Sequence, residues 1–304
     1  MFEVFYIILP LVFLVVLGQL IAKTGQLSAE NWIGLETLSF RVLIPALIIR
    51  SIAQSDLSLK SSGLYVLTML IAVSAVGILT LLLRPVTRVT DPQLSTMFQA
   101  STRWNALITL PIAAQLFGPI GLTTVTIAMA FMVPYLNVIN IGLLSALHTG
   151  KFRISSVLTS IAKNPIIIAC AIGLTINLAN VPLPEPVLQT LEMVSRSALA
   201  IGLLCVGAGF DWRRLIHLNW QIIWTVGIKA VIAPLLAMIT GQAFGLDQMQ
   251  TVCAMLVVAT PTATNGYIIA RQMGGDAELY AIILNWQLVV TVVAFPVLIY
   301  LMQG

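Results

Sequence analysis

Charge is what this sequence has least of. Charged residues fill 9% of its 304 positions, against about 25% in a soluble domain. Hydrophobic residues fill 59%. A chain with so little to offer water is excluded as a soluble enzyme or scaffold and reads as a polytopic membrane protein. Acid is scarcer than base: 11 Asp and Glu stand against 15 Lys and Arg, for a formal net charge of +4. The basic residues sit mostly in short loops between apolar runs. That pattern reports membrane topology and gives no nucleic-acid surface. Three cysteines, Cys170, Cys205 and Cys253, fall inside apolar runs without motif spacing, so neither a disulfide nor a metal site is expected. The opening MFEVFYIILPLVFLVV has no basic residue, so it is expected to remain as a first span rather than be cleaved as a signal peptide. There is no HExxH, no acidic diphosphate-binding motif and no Ser-His-Asp set at plausible depths, so no enzyme and no cofactor are expected.

Long apolar runs are what the chain does have. A bilayer core of about 30 Å takes roughly 20 apolar residues per helix. Runs near 4–22, 63–83, 95–116, 120–147, 164–180, 220–243, 249–271 and 278–302 satisfy this. Two more are left open by hydropathy: 33–53, with Glu36, Arg41 and Arg50, and 187–209, with Glu192 and Arg196. The distribution of positive charge decides between the alternatives. If all ten runs span, Lys23, Arg84, Arg88, Lys151, Arg153, Lys163, Arg213, Arg214 and Arg271 share one side, opposite Lys60 with Arg50 near the boundary. If the two weak runs do not span, that segregation is lost. The expectation is therefore an all-α protein of ten spans with both termini extracytoplasmic. The loops at 23–32, 84–94, 148–163, 211–219 and 272–277 would be cytoplasmic.

The chain also repeats. At a shift of 156, Leu27 falls on Leu183, Leu35 on Leu191, Glu36 on Glu192, Ser39 on Ser195, Leu47 on Leu203, Ala114 on Ala270 and Gly118 on Gly274. At 155, Pro10 falls on Pro165 and Gly18 on Gly173. The halves, 1–149 and 150–304, would each carry five spans. An odd number inverts one half relative to the other, as in secondary transporters, whose sites lie at the repeat interface near the midplane.

Polar residues interrupt one span in each half. In span 9, TPTATNGY (Thr260 to Tyr267) puts Pro261 at the middle of the helix, where it removes a backbone donor. Thr262, Thr264 and Asn265 can satisfy freed backbone groups or meet a ligand. At the 156 shift the matching stretch in span 4 is WNALITLP, with Asn105, Thr109 and Pro111. Arg103 lies just before it. A half-helix N-terminus favours an anion, and a midmembrane arginine needs a cavity or a partner. The candidate substrate residues are Arg103, Asn105, Thr109, Pro111, Pro261, Thr262, Thr264 and Asn265. Asn137 and Asn140, and likewise Asn285 and Gln287, read as interhelical hydrogen bonding. Lys229 reads as a side chain snorkelling to the cytoplasmic edge. Glu192 and Arg196 form an i,i+4 pair. Ala198, Gly202, Gly207 and Gly209 give span 7 a small-residue face.

Three stretches carry a resemblance: LGQLIAKTGQLSAENWIGLETLSFRVLIPALIIRSIA (17–53), NPIIIACAIGLTINLANVPLPEPVLQTLEMVSRSALAIGLLCVGAGF (164–210) and PTATNGYIIARQMGGDAELYA (261–281). With them the chain resembles the auxin efflux carrier family of secondary transporters, which includes bacterial members and the plant PIN proteins. The resemblance implies the fold shared with the sodium–bile acid symporters and sodium–proton antiporters. Helices 4 and 9 would be broken and cross near Pro111 and Pro261, with Asn105 and Asn265 contacting an anionic substrate. Helices 1, 2, 6 and 7 would form a scaffold and a homodimer through helices 2 and 7. Helices 3–5 and 8–10 would move against that scaffold as an elevator. The implied substrate is a small organic anion, auxin-like or a malate or malonate, crossing the inner membrane bilayer. Only 148–163 separates the halves, so the long regulatory loop of the longer plant forms is absent.

Proton coupling usually wants a midmembrane carboxylate or histidine. Glu36 and Glu192 lie nearer helix ends, His148 and His217 lie at loops, and the paired acids of the antiporters are missing. Sodium held by crossover carbonyls stays open. The competing readings are a sodium-coupled organic anion symporter of bile-acid type and a ligand sensor built on the same bundle. No appended signalling domain is visible for the latter.

Overall fold

The computed structural model describes residues 2–55, 59–148, 158, 159 and 161–303. Their regular structure is helical throughout. Six helical stretches are long and apolar enough to cross a membrane: Ala29–Ala53, Ser62–Leu82, Asp91–His148, Glu185–Ala208, Trp220–Ala243 and Ala277–Tyr300. Shorter apolar helices run Ile8–Thr24, Pro165–Leu178 and Gln248–Ala259. Both runs that hydropathy left open fall on long helices: 33–53 within Ala29–Ala53, and all but the last residue of 187–209 within Glu185–Ala208. Lys151 and Arg153, used above for topology, fall outside the described residues.

The elements in chain order are α1 (Phe2–Thr24), α2 (Ala29–Leu38), α3 (Ile44–Ala53), α4 (Leu59–Leu82), α5 (Arg84–Thr87), α6 (Asp91–Thr102), α7 (Ala106–His148), α8 (Pro165–Leu178) and α9 (Glu185–Ala208). Then follow α10 (Trp220–Gly227), α11 (Ala233–Ala243), α12 (Gln248–Ala259), α13 (Asn265–Met273) and α14 (Ala277–Gln303). A π-helical turn, Ser39–Leu43, joins α2 to α3, and another, Ile228–Ile232, joins α10 to α11. Each precedes a proline, Pro45 or Pro234, whose missing N–H leaves the preceding turn one donor short and lets it widen. Within α7, Gly118 has φ 60 and ψ −146, a backbone conformation open essentially to glycine alone. The kink divides the expected spans 4 and 5. The chain then passes close to itself, because a Cβ at Gly121 would strike the Ala113 carbonyl.

The special backbone positions recur at the repeat distance. The described residues with positive φ are Gly25, Arg88, Gly118, Asn180, Gly245 and Gly274. They form three pairs, 25 with 180, 88 with 245 and 118 with 274, spaced by 155 to 157 positions. Helix caps follow suit. Thr90 and Asp247 each accept from the backbone N–H three residues on, at Gln93 and Gln250.

The chain divides into two compact units, each drawn from separated stretches. One comprises Met1–Ser62, Leu107–Val133 and Ala162–Phe210. Within it, α1 and α9 approach so closely that a Cβ at Gly18 would enter the Leu204 backbone, and one at Gly207 the Val15 carbonyl. Gly173 of α8 lies against Ile49 and Ile52 of α3. The expected small-residue face of span 7 is thus used at Gly207, where it meets backbone, and at Gly202, which meets the Leu107 side chain. Where hydrocarbon surrounds helices, such close approach replaces the hydrophobic effect as the source of cohesion. Asn177 donates to the Ile52 and Ser55 carbonyls at 3.0 and 2.7 Å, closing the C-terminal end of α3. The expected Glu192–Arg196 pair forms at 2.7 Å, and Glu192 also meets Arg50 at 3.5 Å.

The other unit comprises Gly63–Ala106, Pro134–Ile161 and Asp211–Gly304. Its core gathers Leu94, Met97 and Ala100 of α6, Ile222 and Val226 of α10, and Leu279, Tyr280 and Ile283 of α14. Two short helices are enclosed nearly all round: α6 is buried from Leu94 to Thr102 and α12 from Thr251 to Ala259. That enclosure lets each of them stop in mid-protein, because irregular backbone at membrane depth survives only where protein surrounds it.

Candidate functional site at the paired helix breaks

Both α6 and α12 end in an extended residue. Arg103 has φ −72 and ψ 152, and Thr260 has φ −60 and ψ 150. The first break runs over 103–105 before α7 begins, and the second over 260–264 before α13 begins. They lie side by side, with the Asn105 N–H donating to Thr260 Oγ1 at 3.4 Å.

The two breaks have different causes. Pro261 makes the second locally, since the residue before a proline is pushed to extended backbone and the proline offers no N–H. The first contains no proline. Pro111, expected to mark it, lies several residues downstream inside α7, so that expectation is corrected. What opens the first break is tertiary. An unbroken helix would bond the Ala100, Ser101 and Arg103 carbonyls to the N–H groups four residues on. Here Gln287 Nε2 donates to Ala100 O at 3.0 Å, and Lys229 Nζ donates to Arg103 O at 2.6 Å and Ser101 O at 3.4 Å.

Gln287 serves both breaks, for its Oε1 accepts from the Thr262 N–H at 2.8 Å. Thr262 Oγ1 shares a hydrogen bond of 2.5 Å with Tyr280 OH, which donates to Ala263 O at 2.6 Å. Gly266 is required here, because a Cβ would collide with the Tyr280 hydroxyl. Thr102 Oγ1 reaches Asn140 Oδ1 at 3.3 Å, and Asn140 Nδ2 donates to Leu136 O at 2.8 Å. Asn285 Oδ1 accepts from the Asp211 N–H at 2.7 Å. The interhelical hydrogen bonding expected of Asn140 and Gln287 is present, whereas Asn285 bonds the backbone of the non-helical Asp211 and of its own helix.

The expected site residues do not all share one environment. Arg103, Asn105, Pro261 and Thr262 are buried together at the breaks, with Thr264 partly buried and Asn265 exposed at the start of α13. Thr109 and Pro111 are buried in α7 within the other compact unit. The N-terminal turn of α13 is tight: Gly266 N–H bonds Ala263 O and Tyr267 N–H bonds Thr264 O. Two of the donors expected to face a ligand are thus used locally. Arg103 differs, because its Nε and Nη2 are buried without a hydrogen-bond partner. The same holds for both amide atoms of Gln99, one turn earlier, and for Ser101 Oγ.

Lys229 is the residue that sequence reasoning misplaced. It does not snorkel, being 1% exposed and turned onto the end of α6. The available signal was its place, ten residues into a 24-residue apolar helix, where the stem is too short to reach an edge. Among the described residues, Arg103 and Lys229 are the buried charges, and no carboxylate is buried. Nor does any group of His, Cys, Asp or Glu there have the makings of a metal site.

Helices interrupted in pairs, with buried polar groups gathered at the interruptions, define a carrier-type polytopic membrane protein. The family described as Membrane transport protein, the auxin efflux carrier family, matches residues 3–299, and the chain belongs to it. It is accordingly a membrane secondary transporter. No curated protein matches it.

Proposed function

We propose that the protein carries a small organic anion, a carboxylate, across the inner membrane. The observation that carries this reading is the unbalanced charge at the breaks: two buried cations and, among the described residues, no buried acid. A guanidinium held in the membrane with its Nε and Nη2 unpartnered is expensive. A substrate carboxylate offsets that cost while bound, through the planar two-point geometry arginine prefers. Arg103 takes the charge. Asn105, Thr262, Thr264 and Asn265 supply hydrogen bonds, and Pro261 shapes the path.

The paired positive-φ residues and matching caps support ten spans in two inverted repeats, 1–149 and 150–304. In that arrangement spans 1, 2, 6 and 7 are the fixed scaffold, dimerising through spans 2 and 7. Spans 3–5 and 8–10 carry the site in an elevator motion, and both termini lie outside the cytoplasm.

A thermal-shift screen of the purified protein against mono- and dicarboxylates, with amines of similar size as controls, tests the reading. Carboxylates should raise the melting temperature, since a ligand at 100 times its Kd adds about 2.7 kcal/mol. Stabilisation by the amines alone would overturn the anion assignment.

A further inference from the structure

We propose that Lys229 is a tethered cation that stands in for a co-transported ion, so that the carrier works without sodium. For its transport consequence the inference rests on the anion-carrier reading above. A helix that stops in mid-membrane leaves its last carbonyls unsatisfied and carries partial negative charge there. In carriers with broken helices, such carbonyl ends are where a coupling sodium or proton binds. At the end of α6 those positions are taken. The Lys229 ammonium lies 2.6 Å from Arg103 O and 3.4 Å from Ser101 O, and Gln287 covers Ala100 O.

The ammonium suits the task. It is a compact charge with three donors, and its long stem reaches the helix end from the adjoining span. The π turn Ile228–Ile232, opened by Pro234, carries it. Among the described residues no carboxylate is buried that would claim the charge instead, so the carbonyls and the helix end are its counter-charge. One of the two carbonyls belongs to Arg103. Lys229 is therefore a positioning residue: by holding that backbone it sets where the Arg103 side chain begins. The break after α12 has a different arrangement. There the Thr260 hydroxyl donates to Val257 O at 3.0 Å.

The test compares purified wild type, Lys229→Ala and Lys229→Gln in choline, sodium and methylammonium chloride at constant ionic strength. The first readout is the melting temperature without substrate; the second is carboxylate affinity. Wild type should be indifferent to the cation in both. Lys229→Ala should melt lower in choline and recover in sodium or methylammonium. Its carboxylate affinity in choline should fall about tenfold or more, as for loss of charged hydrogen bonds, and return with the added cation. Lys229→Gln, which keeps donors but no charge, should behave like Lys229→Ala. Sodium dependence in wild type would overturn the proposal, as would wild-type behaviour of Lys229→Gln in choline. If Lys229→Ala does not fold, Lys229→Gln and wild type decide alone. Cation rescue of melting with no carboxylate bound by any variant would uphold the tethered cation and refute the anion reading.

Discussion

At the scale of single residues, the two buried cations divide the work. Lys229 is committed to backbone carbonyls, whereas Arg103 keeps Nε and Nη2 without partners. The prediction is a graded one. Arg103→Gln should weaken carboxylate binding by about 10- to 100-fold, the range for a hydrogen bond to a charged group. Arg103→Lys should retain part of it, because charge survives while the two-point geometry is lost. Titrating both variants calorimetrically checks this; wild-type affinity in both would reduce Arg103 to a structural part. Arg103 was legible in the sequence because a charge in an apolar run is conspicuous. Lys229 was equally visible but misread: its place ten residues into a 24-residue helix argued against the membrane edge, while the position of the α6 terminus supplies its actual destination.

At the scale of elements, the close crossings in the first compact unit depend on absent side chains. Gly207→Val should lower stability by about 1–3 kcal/mol, because the new methyl groups meet the Val15 backbone, which cannot step aside as a side chain can. Gly34→Ala is the control: nothing lies within 4 Å of a Cβ there, and alanine favours the helix. Melting the two variants in the same detergent checks the difference, and equal melting temperatures would show that α1 and α9 can separate at no cost. The helix breaks teach a related lesson. The break after α12 is written locally by Pro261. The break after α6 has no local cause at Arg103, Trp104 or Asn105. It exists because Gln287 and Lys229, more than a hundred positions away, take the carbonyls that would have continued the helix. The repeat match placed this break within Trp104 to Pro111, which overlaps 103–105, although the proline of that stretch lies six residues past the break.

At the scale of the whole molecule, a carrier whose only moving counter-charges are built in transfers the net charge of its substrate with each cycle. A monovalent anion leaving an inside-negative compartment gains about 2.3 kcal/mol per 100 mV, close to a fiftyfold gradient. In proteoliposomes loaded with a carboxylate that binds, an imposed inside-negative potassium diffusion potential should speed efflux and slow uptake. Sodium on either side should have no effect. Flux indifferent to the potential would indicate electroneutral exchange or a compensating cation, contrary to the proposed cycle.

The sequence by itself determined the solvent, the helical class and the family, because scarcity of charge, run length and recurrent motifs are properties of the chain alone. It also determined one of the two helix breaks, since a proline acts on its own turn. The tertiary structure alone decided the other break, the use of Lys229 and the enclosure of α6 and α12. Each of these turns on which distant group supplies a hydrogen bond to a carbonyl that the helix has released, and no local pattern encodes that distance.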